Sequence, residues 1–162
     1  MKKLSVCLMV LFLCFIPTAQ ALANPPAEGI MDGGQSLNGE IIVNSIRIDA
    51  PTPYLNGYEG VVMVPVRAIA ESLGIAVEWN AAEREISVGG ALTIRIGLDY
   101  YTNADGVNFT FGPAPEIRQD RAYVPISFFT NALPGYYAYV TDGTIIVEDK
   151  AETQSVQEDN AH

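Results

Sequence analysis

Histidine is almost missing from this chain, and cysteine is confined to its start. The single histidine is His162, and the two cysteines are Cys7 and Cys14. From residue 15 onward the chain can form no disulfide, no thiolate metal site and no cysteine nucleophile. A serine nucleophile would lack an imidazole base beside it, because the one imidazole stands at the last position. Basic residues are also scarce: nine Lys and Arg stand against 19 Asp and Glu, for a formal net charge of −10. No Lys or Arg run offsets that excess, so nucleic acid and anionic membrane surfaces should be repelled. Long hydrophobic runs are missing too. The longest, Leu4 to Ile16, is shorter than the ~20 residues a spanning helix needs.

That run has a recognisable setting. Lys2 and Lys3 precede it, Pro17 ends it, and the small-residue patterns Ala19-Gln20-Ala21 and Ala21-Leu22-Ala23 follow. Positive, apolar, then small-x-small predicts a secretory signal peptide over 1–23, cut after Ala23. Leu11, Phe12 and Leu13 ahead of Cys14 are too large for a lipoprotein signal. The mature chain would keep 7 basic and 19 acidic residues, a balance of −12. It would be secreted or held at the cell surface, with no further membrane insertion.

Asn24 to Asn38 is rich in Pro, Ala and Gly and reads as a flexible leader. The segment 149–162 is acidic, has almost no large apolar residue and reads as a disordered tail. Between them, 39–148 should fold. Ile41 to Val43 and Ile46 to Ile48 flank Asn44-Ser45 as a hairpin would. Val61 to Val64 reads as a buried strand. Pro65 is expected at the first helical position and Gly74 just past the helix end, with Val66, Ile69, Ala70 and Leu73 on one face. Ile75, Val77 and Trp79 alternate as a strand, and Ile86 and Val88 as its partner. Asn103-Ala104-Asp105-Gly106 lacks the spaced acids of a calcium loop and reads as a hairpin turn.

The pattern then recurs. Val124-Pro125-Ile126 repeats Val64-Pro65-Val66 at an offset of 60, and Phe129 and Leu133 repeat Ile69 and Leu73. The expected fold is α+β: two degenerate β-β-α-β-β repeats, about 39–90 and 91–148, with antiparallel strands packed on two short helices.

The 16 residues from Val64 to Trp79 resemble the signature of the copper amine oxidase N-terminal-like, or stalk, domain family. That signature is Val-Pro, a branched residue, Arg, then spaced Glu, Leu-Gly, Val and Trp, with Asp or Asn last; Asn80 fills the last place. Val43-Asn44-Ser45 and Pro53-Tyr54-Leu55-Asn56-Gly57 are similar to its earlier element. The second copy departs, with Ser127 for the arginine, Asn131 for the glutamate, Pro134-Gly135 for the glycine and Thr141 near the tryptophan place. The resemblance implies an exported, non-catalytic module without cofactor, and makes Pro65, Arg67, Glu71, Gly74, Trp79 and Pro125 structural motif residues. A copper site of the oxidase type needs three histidines, and the quinone tyrosine follows an asparagine; this chain has neither feature.

Glu71, Glu78, Glu83 and Glu85 are the acids to weigh for a carboxylate-dependent hydrolase of wall polymers. Arg67 and Glu71, four apart on one helix, read either as a clamp for a ligand or as an intrahelical pair. Asn108-Phe109-Thr110 fits a glycosylation triplet. Tyr100, Tyr101, Tyr136 and Tyr137 are the ligand-binding candidates, since tyrosine combines stacking area with a hydroxyl. In a strand, Tyr137 and Tyr139 would share one side, with Tyr136 and Ala138 on the other. The expected role is a binding or structural module of the cell envelope, engaging a cell-wall polymer or an envelope protein. The alternatives are the hydrolase and a homo-oligomeric subunit assembled through strand edges.

Overall fold

The computed structural model describes residues 37–57, 60–110 and 112–151. The expected signal peptide lies outside them, as do most of the leader and most of the tail. Both boundaries of the folded region move outward. Leu37 is buried in the core, and Asn38 N–H donates to the Gly143 carbonyl at 3.0 Å. At the other end Asp149 still belongs to a strand, and its N–H donates to the Asn44 side chain at 2.9 Å.

The first hairpin forms as its residues dictate. Strands β1 (Ile41–Val43) and β2 (Ile46–Arg47) are joined by Asn44 and Ser45, with φ of 46° and 63°. Positive φ at both central positions is the hairpin turn whose twist matches the strands. Then come β3 (Tyr54–Leu55), β4 (Val62–Pro65) and helix α1 (Val66–Ser72). Pro65 corrects the expected helix start. It closes β4, opposite Tyr123, and caps the helix from outside it with extended backbone. A residue without an N–H fits a strand end as well as a first helical turn.

The end of α1 follows the sequence closely. Ile75 N–H reaches the Ala70 carbonyl at 2.9 Å, and Gly74 N–H reaches Glu71 at 3.0 Å. This is the paired closure in which the residue after the cap is left-handed, and Gly74 has φ of 75°. Val66, Ile69 and Ala70 are buried and Leu73 packs on them, so the helix buries the stripe its spacing marks.

Strands β5 (Val77–Asn80), β6 (Glu85–Val88), β7 (Leu92–Arg95), β8 (Tyr101–Asn103) and β9 (Asn108–Phe109) follow as a meander. The turn between β8 and β9 is fastened by the Asn103 side chain, which accepts from Asp105 N–H at 3.1 Å and Val107 N–H at 2.8 Å. Next are β10 (Glu116–Arg118), β11 (Arg121–Pro125), helix α2 (Ser127–Asn131), β12 (Tyr136–Thr141) and β13 (Thr144–Asp149).

These elements make an α+β fold of mostly antiparallel sheets with two short helices. The sheet orders are β12-β13-β1-β2, β10-β11-β4-β3 and β5-β6-β7-β8-β9. They do not divide at residue 90. β6 pairs with β7 across that point, β1 pairs parallel with β13, and β4 pairs with β11, Val64 facing Val124. Around each helix the order is two strands, helix, two strands. One continuous core gathers Ile69 from α1, Phe128 and Phe129 from α2, and Ile41, Ile94 and Ile145 from the sheets. Among the described residues, no helix is long and apolar enough to cross a membrane.

The first half of the edge strand β12 is closed against pairing. Tyr136 N–H donates to the Leu133 carbonyl at 3.0 Å, and Ala138 N–H donates to Thr130 Oγ1 at 2.9 Å. The same hydroxyl donates to the Ala138 carbonyl at 3.3 Å. An edge whose outward groups are already used offers little to a second strand. Thr130→Val should cost about 1 kcal/mol by removing one backbone partner. It should also make β12 prone to association, seen as concentration-dependent elution on a sizing column. Unchanged stability and elution would show that the hydroxyl is incidental.

Candidate functional site

The described residues enclose an open groove of about 1130 Å³. Three pieces of chain build it. The connection after β2 contributes Asp49, Ala50 and Pro51. Helix α1 presents Arg67, Ala68 and Glu71. The far wall is the β10–β11 hairpin, through Ile117, Asp120 and Arg121. Val77, Trp79 and Ile86 from β5 and β6 line it as well. The groove thus collects Pro65, Arg67, Glu71 and Trp79, four residues that the resemblance implies to be structural. Its remaining two do not line it: Gly74 closes α1, and Pro125 ends β11 opposite Met63.

Arg67 is used by the scaffold. Its Nη1 lies 3.1 Å from Glu71 Oε1 and donates to the Val77 carbonyl at 2.9 Å. One guanidinium therefore ties α1 to β5 and holds the Glu71 carboxylate. The pair is half exposed, so as an ion pair it contributes about 0.3–0.5 kcal/mol. Its larger effect is positional, fixing the angle between helix and strand.

Trp79 differs from its strand neighbour. Val77 and Trp79 share a face by strand parity, yet Val77 is 7 % exposed and Trp79 42 %. Both line the groove, and the indole is the part left open to it. Ile117 of β10, also in the lining, is 41 % exposed. Two large apolar side chains so exposed in one concavity are what a binding site presents and a packed interior does not. Asp49, Asp120 and Arg121 form no ion pair among the described residues, so their charges face the groove unneutralised.

The tyrosines expected to bind are not brought together. Tyr101 is corrected outright: it is 1 % exposed and belongs to the core. It stands opposite Ile94 on β7, which also points inward, and its ring lies 5.1 Å from Phe128. Burial pushes its phenol well above the ordinary tyrosine range. Tyr100, the preceding residue, lines a separate hollow of about 140 Å³ with Thr93, Arg95 and Asn108. Tyr136 and Tyr137 belong to another sheet. Tyr136 is half-buried and Tyr137 exposed, with Lys150 Nζ 4.8 Å above its ring. The outward partner of Tyr137 is Tyr139, whose hydroxyl donates to Glu148 at 3.0 Å.

The acids divide as well. Glu71 is held by Arg67, while Glu83 and Glu85 share Arg95. Three of the four carboxylates weighed for hydrolysis are therefore ion-paired, and they lie at two places. Among the described residues, no group of three or more His, Cys, Asp or Glu could hold a metal ion.

Sequence reasoning missed the groove because no local pattern encodes it. The connection after β2, α1 and the β10–β11 hairpin are far apart in the chain. The one available signal was Trp79, the single tryptophan, following a buried strand into a polar turn.

Residues 42–147 match the family model described as the copper amine oxidase N-terminal domain. A protein from Brevibacillus choshinensis named protease inhibitor is 29 % identical over 118 residues, covering 71 % of this chain. The chain spans only 36 % of that protein's length. No solved structure matches. With the family model covering the folded region from β1 to β13, the chain belongs to the copper amine oxidase N-terminal domain family, named for a non-catalytic, stalk-like domain of those oxidases.

Proposed function

We propose that this chain is an exported, non-catalytic binding module of the bacterial cell envelope, and that the groove under Trp79 is its binding surface. The observation that carries the reading is that two exposed large apolar side chains, Trp79 and Ile117, line the same groove. The signal-peptide pattern at residues 1–23 supports export. The ion-paired state of Glu71, Glu83 and Glu85 favours binding over hydrolysis. The relative named protease inhibitor agrees with a protein that acts by occupying a surface. Inhibition is not carried over, since most of that protein lies outside the match.

The two halves are worn copies of one unit in this reading. Val64 and Val124, 60 positions apart, face each other in the β4–β11 pair, as they would across a local two-fold axis. The groove takes Arg67, Glu71 and Trp79 from the first copy and the β10–β11 wall from the second. The second has lost its arginine, glutamate and tryptophan, so binding is asymmetric.

The test incubates the chain from Asn24 onward with isolated cell-wall material and measures pelleting and release of soluble sugar. Pelleting without release is expected. Trp79→Ala should weaken it on the order of thirtyfold, the effect of deleting an aromatic anchor worth about 2 kcal/mol. Sugar release would overturn the non-catalytic reading. Equal pelleting by Trp79→Ala and the parent would move the site elsewhere, first to Tyr137 and Tyr139.

A further inference from the structure

We propose that the groove receives an extended, positively charged segment of another protein, which adds a strand to the edge of β5 at Trp79. This rests on the groove being the binding surface and names the class of its occupant.

The backbone carries the argument. β5 is the end strand of its sheet. Gly89 N–H donates to the Ala76 carbonyl at 2.9 Å, which continues the β5–β6 register by one pair. In an antiparallel ladder, hydrogen-bonded and open pairs alternate. Ala76–Gly89 is a bonded pair, so Val77–Val88 and Trp79–Ile86 are open ones. Their backbone groups point away from β6. The Val77 carbonyl obeys this, since it accepts from Arg67 on the outer side. Two residues on, the N–H and C=O of Trp79 point the same way. Among the described residues, no loop, cap or side-chain bond takes them. The edge from Glu78 to Asn80 is exposed, and it has neither proline, lysine nor bulge to discourage pairing. β12 is closed at two outward positions, whereas β5 is closed only at Val77.

An outward N–H and C=O on one residue match an extended polypeptide, which presents the same pair at the same spacing. Charge selects among polypeptides. Among the described residues, Asp49 and Asp120 form no ion pair at the groove, Glu71 already neutralises Arg67, and Arg121 alone is a free cation there. The chain as a whole carries −10, so a second copy is repelled and a basic segment is drawn in.

The test uses the chain from Asn24 onward and three kinds of capped nine-residue peptide. One alternates Val and Lys, and one alternates Val and Glu. The third is the Val-Lys peptide N-methylated on alternate residues, made in both registers. Binding is read by Trp79 emission and by hydrogen exchange at the Trp79 amide. The Val-Lys peptide should shift the emission and slow exchange at that amide. One methylated register should bind about tenfold more weakly or worse, as two lost backbone bonds predict. The Val-Glu peptide should bind least, and added salt should narrow that difference. Equal binding by every peptide, or none by the Val-Lys peptide, would sink strand addition. If wall material still moved Trp79 emission in that case, the groove would remain the binding surface with a different occupant. If neither probe moved it, the groove reading would fall as well.

Discussion

Phe128→Ala should lower the free energy of unfolding by about 3–5 kcal/mol, the cost of an aromatic deletion in a closed core. Phe128 is fully buried, and its ring lies 5.1 Å from Tyr101 and 5.3 Å from Phe129, the latter edge-on at 85°. It joins α2 to β8, elements that meet nowhere in sequence. Helix α2 has five residues, too few to persist on helical propensity alone. Its side chains hold it in place, so removing one of its two buried phenylalanines should loosen the helix and leave a cavity. A domain of this kind is stable by only about 5–15 kcal/mol, so a large share would be lost. Urea unfolding followed by circular dichroism measures it. A loss below about 1 kcal/mol would mean that the neighbours collapse into the space and that α2 is not central to the core.

The second large effect lies at high pH. Burial raises the phenol of Tyr101 far above its ordinary value, so the fold holds it neutral. In the unfolded chain the same phenol ionises near pH 10. A group whose folded value is raised contributes stability that is complete below the unfolded value. That stability declines as pH rises from there toward the folded value. Stability should therefore be flat to about pH 9.5 and then fall by up to about 1.4 kcal/mol per pH unit from this one residue. Tyr54 is raised as well, by burial and then by its contact with Glu116, and adds to the same slope. Denaturation midpoints between pH 9 and 11.5 would show the fall, and Tyr101→Phe should make it shallower. An identical profile in that variant would rule Tyr101 out as the source.

Much of the fold was legible because it is written locally. Pro65 and Gly74 bracket α1 with an apolar stripe between them. Asn44-Ser45 and Asn103 to Gly106 are turn chemistry. Tyr136 to Val140 alternates, and Tyr137 and Tyr139 face outward as the period requires. Strands of two or three residues, β3 and β10, have no period to read. The parallel pairing of β1 with β13 joins segments about a hundred residues apart, which no local pattern announces. Tyr101 was misread because an amphipathic side chain suits both a surface and a core. Only its position opposite Ile94 decides the matter. The groove was hidden for a related reason: its walls are ordinary fold elements, and only their meeting gives them a role.

The parallel pair has a mechanical meaning. β1 begins the described fold and β13 ends it, side by side and running the same way. Tension applied to the two ends of the domain pulls these strands past each other along their length. Such a load is shear, and the hydrogen bonds from Ile41–Ile145 to Val43–Val147 share it at once instead of opening in turn. The clasp that closes the fold is thus also the part that would bear strain if the chain were tethered at both ends.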